Sequence, residues 1–146
     1  MKIVLQRVSR ASVTVDGNIT GSINRGYLVL LGIGAGDDKT KVEKAVNKIQ
    51  KLRLFNDEND KTNLSISDVN GGLLVVSQFT LYADCRKGNR PGFTDAASPA
   101  LAEELYNYFI EYAGGKFALV EHGIFGASMQ IELVNDGPFT VILEDF

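Results

Sequence analysis

The chain has 146 residues, of which 45% are hydrophobic and 23% charged, the proportions of a globular protein that can bury its own core. A net charge of −3 excludes a general basic footprint for nucleic acid, although a local site for one phosphodiester end needs only a few basic residues. No apolar run approaches a membrane span, the first residues do not resemble a signal peptide, and the single cysteine, Cys85, rules out an internal disulfide, so we expect a cytoplasmic protein without a membrane partner.

In chain order, the sequence predicts strands, a helix, a central strand, a second helix and three closing strands. β-Branched and aliphatic runs bounded by glycine are typical of strands, and Asp16-Gly17 predicts the turn of a hairpin. The strands are expected at Lys2–Val8, Ser12–Val15, 18–23, Gly26–Ile33, Leu73–Val76, Phe117–Glu121, Met129–Asn135 and Phe139–Leu143.

Two helices are predicted from capping residues and apolar periodicity. Asp37 or Asp38 can cap the first, which runs to about Leu52, and Ser98 caps the second, which ends at Gly114-Gly115. The buried face of the first is expected at Val42, Ala45, Val46 and Ile49, and that of the second at Leu101, Leu105, Tyr108, Phe109 and Tyr112.

Strands outnumber helices, and two helices cannot cover both faces of one large sheet. We therefore predict one α/β domain over 1–146, with layered or strongly curled mixed β-sheets, barrel-like, and both helices on one side. Residues 56–63 are predicted to be a polar loop, and Asp136-Gly137-Pro138 a hairpin turn between the last two strands.

Polar side chains follow the central strand, where the apolar run Leu73–Val76 breaks into Ser77, Gln78, Phe79 and Thr80. Because side chains alternate along a strand, Ser77 and Phe79 are expected on one face and Gln78 and Thr80 on the other. Polar groups at the end of a buried strand suit a rigidly held site. The alternative is a strand end whose hydroxyls bond to neighbouring backbone.

A long loop, Ala83–Ala97, comes next and carries a cluster of basic residues, Arg86, Lys87 and Arg90. A loop of this length beside a polar strand end is often functional. The cluster is either a solvated loop surface or a local set of phosphate contacts.

Side chains for metal or nucleophilic catalysis are scarce. With one histidine, His122, and one cysteine, no metal-ligating cluster has usable spacing, and no metal or cofactor is expected. A triad of Ser77, His122 and an acid is formally possible, but the G-x-S-x-G signature is missing. The other interpretation of His122 is a turn residue beside Gly123.

The second polar cluster is NDGPFT, Asn135–Thr140. Asp-Gly alone favours a hairpin turn, but Pro138 offers no backbone donor to a sheet. A Gly-Pro bond also tolerates the cis isomer, which the sequence does not specify. A rigid turn here would project its carbonyl groups in a fixed direction.

SQFTL at Ser77–Leu81 and NDGPFT at Asn135–Thr140 closely resemble, in this order, the two signature motifs of the D-aminoacyl-tRNA deacylases, the D-tyrosyl-tRNA deacylase family. The likeness covers essentially the whole chain. QRVSRASVTVDG resembles the family's first hairpin, KGNRPGF its central loop, and FGASMQIEL the strand before the second motif. Two separated motifs in the right order are far more specific than either alone.

The resemblance implies an enzyme of chiral proofreading in translation. It would hydrolyse the ester of D-aminoacyl-tRNA, releasing free D-amino acid and tRNA, clear glycine mischarged on tRNA, and largely reject L-aminoacyl-tRNA. Family members are cytoplasmic homodimers without metal or cofactor. Their site forms at the dimer interface, where the Gly-Pro pair, here Gly137-Pro138, is cis and enters the partner's pocket.

The resemblance also indicates the site residues. Expected are the catalytic residues Ser77, Gln78, Phe79 and Thr80, the substrate-binding residues Gly137, Pro138, Arg7, Phe125 and Met129, and the tRNA contacts Arg86, Lys87 and Arg90.

An activated ester needs little help from a strong side-chain base. Backbone N–H groups near Gln78 and Phe79 can bind the developing oxyanion, and the ribose 2′-hydroxyl can assist proton transfer or water activation. Ser77 would then orient the site, and Phe79 would shape its wall. Thr80 is the alternative nucleophile or water-positioning group, although its hydroxyl is weak without an adjacent base.

Two rival functions stay open. One is a non-enzymatic module that binds tRNA or initiating DNA. The other is a serine hydrolase of small esters that uses Ser77 and His122.

Overall fold

The computed structural model describes residues 1–144 and 146. This part of the chain forms eight strands, two α-helices and one short 3₁₀ helix. In order they are β1 (Lys2–Val15), β2 (Asn18–Ile23), β3 (Gly26–Gly32), α1 (Lys39–Lys51), β4 (Arg53–Asn56), β5 (Thr62–Ser65), β6 (Gly72–Ser77), the 3₁₀ helix (Phe79–Tyr82), α2 (Pro99–Gly114), β7 (Leu119–His122) and β8 (Gln130–Leu143). None of the described helices combines the length and apolar character that a membrane crossing requires.

β1 is one continuous strand of 14 residues, where the sequence predicts two short strands. Its first half pairs with β3, its second half with β2, and β8 runs antiparallel along its other edge. β6 lies parallel between β3 and β7, and β2 returns against β7, where a Cβ on Gly21 would stand 2.8 Å from the His122 carbonyl oxygen. The mixed sheet therefore curls into a nearly closed barrel, and the predicted fold class is confirmed.

The barrel wall separates two apolar cores. Ile3 and Leu5 face the core between sheet and helices, whereas Val8 and Val13 face the barrel interior. Side chains alternate along a strand, but the register of β1 against β8 shifts between Val8 and Arg10. This bulge changes the phase of the alternation, so one strand supplies both cores.

α1 matches its prediction. The Asp38 side chain accepts a hydrogen bond from the Lys41 N–H at 2.8 Å and caps the helix. Its buried residues are Val42, Ala45, Val46 and Ile49.

α2 begins at Pro99, as predicted, but its buried face is rotated from the predicted one. Tyr108 and Tyr112 are half-buried at the edge of the contact with α1, where the Tyr108 hydroxyl donates to Glu43 at 2.6 Å. The buried residues are Leu105, Tyr106, Phe109 and Ala113.

Two further expectations are wrong. β6 ends at Ser77 and a 3₁₀ helix follows, so strand alternation does not continue to Thr80. β8 passes through Asp136–Pro138 as one strand, so no hairpin joins two closing strands there. The polar loop predicted over 56–63 is confirmed at 57–61, where it joins β4 to β5, whereas the pairing of these two short strands is not predicted from the sequence.

A buried ion pair ties the start of β1 to the loop before α1. The Met1 α-ammonium lies 2.6 Å from Asp37 Oδ1, and the Lys41 Nζ lies 3.0 Å from the same oxygen. The Gly34 N–H donates to Asp37 Oδ2 at 2.7 Å. Burial raises the pKa of Asp37, but the hydrogen bonds from the ammonium, Gly34 and Lys41 outweigh burial, and the pKa is lowered from its usual 3.8.

We expect Asp37→Asn to lower the free energy of unfolding by about 3 kcal/mol, because it leaves the Met1 ammonium buried without a counter-charge. Asp38→Asn is the matched control, and because asparagine caps helices as well as aspartate does, its cost should stay under about 1 kcal/mol. Urea unfolding measures both. Equal losses of unfolding free energy in the two variants would contradict a stabilising ion pair between Met1 and Asp37.

The same ion pair predicts a pH dependence of stability. Since folding lowers the pKa of Asp37, its contribution is complete above the unfolded value of 3.8 and is lost as the pH falls through the lower folded value. The difference in stability between wild type and Asp37→Asn should therefore shrink under acid conditions.

Candidate active site

A cavity of about 560 Å³ opens where β6 ends. Val76 and Ile131 form part of its apolar floor, the start of α2 contributes Ala102 and Tyr106, and the long loop before α2 contributes Phe93. The loop is held against the barrel because the Ala97 N–H donates to the Ile33 carbonyl at 2.9 Å.

Three of the four predicted catalytic residues line this cavity: Ser77, Gln78 and Phe79. Thr80 does not; it is exposed, and its hydroxyl accepts a hydrogen bond from the Gln78 side-chain amide. The structure therefore places the first motif at a cavity but leaves the threonine outside it.

The backbone donors of the first motif differ from the prediction in one position. The Gln78 N–H is already bonded to the Leu31 carbonyl at 2.8 Å, as the last bond between β6 and β3. The N–H groups of Phe79 and Thr80 begin the 3₁₀ helix and have no acceptor among the described residues. The donors available to an oxyanion are thus Phe79 and Thr80, while Gln78 N–H is occupied by the sheet.

Phe125 and Met129 line the cavity, as the resemblance implies. Met129 packs directly over Gly123, where a Cβ would stand 2.4 Å from its sulfur. Tyr106, which the predicted helix face omits, packs against the Phe125 ring at 5.7 Å and places its hydroxyl 3.0 Å from the Val75 carbonyl. α2 turns Tyr106 toward β6 and the cavity, an orientation that the predicted apolar face does not include.

The second motif is built around the side chain of Arg7, which is 4% exposed. Its guanidinium donates to the carbonyls of Leu54 at 2.6 Å, Asp136 at 3.1 Å and Gly137 at 3.3 Å. The same group lies over the Phe139 ring, 4.5 Å from its centroid. Arg7 therefore fixes the turn that contains Gly137-Pro138, whose peptide bond is cis.

The pairing of β1 with β8 explains why this turn projects. Gln6 stands opposite Thr140 and Val8 opposite Asn135, so one residue of β1 faces four residues of β8. The Asn135 side chain closes the projection by donating to the carbonyls of Arg7 at 2.9 Å and Phe139 at 3.2 Å. The outward turn, 136–138, is exposed.

The two motifs lie far apart in one chain. Arg7 stands opposite Tyr27, and Tyr27 opposite Leu73, whereas Ser77 lies four residues farther along β6. With a rise of ~3.3 Å per residue and ~4.8 Å between strands, the Cα atoms of Arg7 and Ser77 are about 16 Å apart. Arg7, Gly137 and Pro138 accordingly do not line the cavity.

The basic cluster lies at the tip of a loop beside the cavity. Asp84 and Gly92 exchange backbone hydrogen bonds at 2.8 and 3.0 Å, which closes the loop around Arg86, Lys87 and Arg90. The Arg86 guanidinium is paired with Asp84 through two contacts of 2.8 Å, whose hydrogen bonds lower the pKa of that carboxyl.

Two exposed aromatic rings flank the mouth of the cavity. Phe79 is 58% exposed and Phe93 37%, and their ring centroids lie 5.1 Å apart in an edge-to-face arrangement. Exposed aromatic rings of this kind are typical stacking surfaces for nucleic-acid bases.

His122 takes no part in the cavity. It is exposed, and its Nδ1 lies 2.8 Å from the carbonyl oxygen of Gly123. In the described part of the chain it makes no hydrogen bond to Ser77, so the geometry gives no support to a Ser77–His122 triad.

Comparison with known families matches almost the whole chain. The model of the D-Tyr-tRNA(Tyr) deacylase family matches residues 4–144. This chain belongs to that family. Proteins named D-aminoacyl-tRNA deacylase from Koribacter versatilis (strain Ellin345) and Clostridioides difficile (strain 630) are 56% and 55% identical to it over 144 residues, which cover 99% of this chain and 97% of each relative.

Two solved structures share the fold. One, described as "c-Myc DNA Unwinding Element Binding Protein", is 45% identical, with a TM-score of 0.93 and 99% of both chains covered. The other, described as "a probable eukaryotic D-amino acid tRNA deacylase", has a TM-score of 0.86 over 97% of both chains at 15% identity, which supports the fold alone. The family predicted from the two motifs is confirmed, and with it an ester hydrolase of the D-aminoacyl-tRNA deacylase class.

We expect Arg7→Met to lower the free energy of unfolding by about 2–4 kcal/mol, because it leaves the carbonyls of Leu54, Asp136 and Gly137 without their donor. Amide hydrogen exchange over 136–139 should also become faster. Arg10→Met, on the same strand but exposed, is the control and should stay within about 0.5 kcal/mol of wild type. Unchanged amide hydrogen exchange in Arg7→Met would show that this side chain does not stabilise the turn.

Proposed function

We propose that the cavity at the end of β6 hydrolyses the ester that joins a D-amino acid to the terminal ribose of tRNA, as the catalytic site of a single domain over 1–146. One observation carries this assignment: Phe79 and Phe93, two exposed aromatic residues, line an apolar cavity, and the N–H of Phe79, like that of the next residue, Thr80, has no acceptor among the described residues. The aromatic rings offer a stacking surface for the terminal base. The products are free D-amino acid and tRNA.

Backbone donors do most of the chemistry in this proposal. As water attacks the ester carbonyl, the N–H groups of Phe79 and Thr80 bind the developing oxyanion, and each such donor is worth about 2.7–4 kcal/mol. The 2′-hydroxyl of the ribose assists proton transfer. Gln78 holds the Thr80 hydroxyl, which leaves that hydroxyl outside the cavity and favours assistance by the substrate over a threonine nucleophile. Ser77 orients the site, and Phe79 forms its wall.

The Gly137-Pro138 turn belongs in the pocket of a partner subunit. Within one chain the Cα atoms of Arg7 and Ser77 are about 16 Å apart, and the turn lies on β8, on the other edge of β1 from β3, too far from Ser77 to contact the same substrate group. A row of apolar residues leads across the sheet from the free edge of β8 to the cavity: Ile142 stands beside Val4, Val4 beside Leu30, and Leu30 beside Val76. Ile142 is 67% exposed in the single chain, and a second copy of the chain placed against this edge would bury it.

Chirality is read by steric exclusion in this arrangement. The α-amino group of the substrate is held by backbone carbonyls of the partner's turn, among them that of Gly137, which keeps one lone pair beyond its bond to Arg7. An L-side chain is then directed into the turn and rejected. Phe125 and Met129 complete the wall. Glycine has no side chain to exclude, so glycyl-tRNA is hydrolysed as well.

The tRNA end reaches the cavity past the basic loop. Lys87 and Arg90 are its phosphate contacts, with Arg86 held in place by Asp84. A handful of basic residues is enough for one strand end in an otherwise acidic protein. Because the proposed substrate is a tRNA used in translation, we assign this protein to the cytoplasm.

The deciding assay follows deacylation of D-tyrosyl-, L-tyrosyl- and glycyl-tRNA. We expect turnover of the first and third, with the L-ester spared. His122→Ala should stay within about threefold of wild type, because a general base would be worth about 10²-fold or more. Replacing the terminal 2′-hydroxyl by hydrogen should slow the D-substrate by that larger factor, and unchanged turnover would remove substrate assistance from the mechanism.

The same assay separates the second candidate function, nucleic-acid binding without catalysis. This candidate is favoured by the likeness to a protein described as binding a DNA unwinding element. A wild-type protein that binds duplex DNA but hydrolyses none of the three esters would support it.

A complementation experiment tests the shared site. Ala102→Phe fills the cavity, and Gly137→Ala adds a methyl to the turn, where a Cβ meets nothing within 4 Å in the single chain. Each variant should fold but be nearly inactive alone. A refolded mixture should regain roughly a quarter of wild-type activity, because half of the dimers are mixed and each holds one complete site. A mixture that stays inactive would contradict a site built from two subunits.

A further inference from the structure

The two helices carry opposite charge, although they lie side by side on the sheet. α1 contains five lysines and one glutamate within 13 residues, whereas α2 contains three glutamates and no basic residue. The whole chain has a net charge of −3, so α1 is a local concentration of positive charge in an acidic protein. Such a separation favours a polyanion on one side of the helix pair and disfavours it on the other.

Three of these lysines form an uncompensated stripe. Lys39 pairs with Glu104 at 3.5 Å and Lys41 with Asp37 at 3.0 Å. Lys44, Lys48 and Lys51 are exposed, and no described carboxylate lies within 4 Å of them. Their spacing of four and three residues puts all three on one face of the helix. We call Lys44, Lys48 and Lys51 the lysine stripe.

The lysine stripe leads away from the cavity. α1 follows Ile33, which lines the cavity, after a short loop. The helices run in the same direction, since Lys39 meets Glu104 near both starts and Gln50 meets the Lys116 carbonyl near both ends. α2 also starts at the cavity, where Pro99 and Ala102 are part of the lining. With a rise of 1.5 Å per residue, α1 extends about 20 Å from this end.

We propose that the lysine stripe binds the backbone phosphates of the acceptor stem of the tRNA whose 3′ end enters the cavity. This inference rests on the proposed function. A duplex stem begins beyond the unpaired 3′ end, so it must lie some distance from the ester, as the stripe does. Duplex RNA is recognised mainly through its shape and phosphates, to which lysine offers mobile point charges. The glutamates of α2 exclude the stem from the neighbouring surface.

The test compares two substrates with the triple variant Lys44→Gln/Lys48→Gln/Lys51→Gln. Glutamine keeps nearly the same helix propensity as lysine, so α1 should persist. One substrate is full-length D-tyrosyl-tRNA, and the other is the trinucleotide CCA carrying D-tyrosine, which has no stem. We expect KM for the tRNA to rise roughly tenfold or more with kcat unchanged, because each lost phosphate contact weakens binding severalfold at moderate salt. The trinucleotide should be hydrolysed as by wild type.

Salt dependence gives a second readout. The slope of log(kcat/KM) against log[salt] for tRNA should become shallower by about 2–3, close to one for each neutralised phosphate. Lys48→Gln and Arg10→Gln are a matched pair, since each removes one exposed positive charge. Only Lys48→Gln should change the slope.

A triple variant with unchanged KM and salt slope would overturn the proposal, because the lysine stripe would then not bind the tRNA. Equal losses on both substrates would also overturn it, because the substitutions would then act on the cavity. If the wild type hydrolyses neither substrate, the proposed function fails instead. Binding of uncharged tRNA by wild type and triple variant then decides the lysine stripe on its own, with weaker binding by the variant supporting it and equal binding overturning it.

Discussion

The pairing of β1 along both of its edges is the constraint on which the rest of the molecule depends. One strand holds β3 and β2 on one side and β8 on the other. Its pairing with β3 is regular, so Arg7 follows Ile3 and Leu5 on the face toward the helices and is buried by ordinary alternation. Its pairing with β8 is irregular at this position, where β8 must place four residues opposite Arg7. The surplus becomes the exposed turn that carries Gly137-Pro138.

The first motif is held in an equally rigid way, by different contacts. The Gln78 N–H makes the last bond of the sheet, and the chain then winds into the 3₁₀ helix that leaves the Phe79 and Thr80 N–H groups without acceptors among the described residues. Tyr82 ends that helix and packs on Gly34, where a Cβ would stand 2.5 Å from the tyrosine hydroxyl. Asp37 holds Gly34 in turn. The cavity wall is thus connected to the buried ion pair at the start of β1.

In the proposed mechanism, rigid backbone groups take the place of a strong acid–base pair. The chain's single histidine, His122, does not line the cavity, and its Nδ1 lies beside the carbonyl oxygen of Gly123. For an activated ester, fixed N–H donors are a sufficient electrostatic aid, since they need no reorganisation as charge develops. The same proposal suits a proofreading role, because a fixed turn would exclude a misplaced side chain without having to recognise the correct one.

The sequence by itself determined the family, the fold class and the first helix. It also predicted several of the residues that line the cavity. These are encoded locally: apolar spacing in α1, a capping aspartate, and two short motifs whose order is specific. It did not determine that β1 and β8 are continuous strands, that α2 is rotated to bury Tyr106, or that the Gln78 N–H is already bonded to the Leu31 carbonyl. Nor did it determine that the Cα atoms of Arg7 and Ser77 lie about 16 Å apart in one chain. Each of these depends on pairing between segments distant in sequence, where register and packing decide which groups are bonded and which are free. Only the tertiary structure could show that Arg7, an ordinary polar residue in an alternating strand, is the buried support of the turn at Gly137-Pro138.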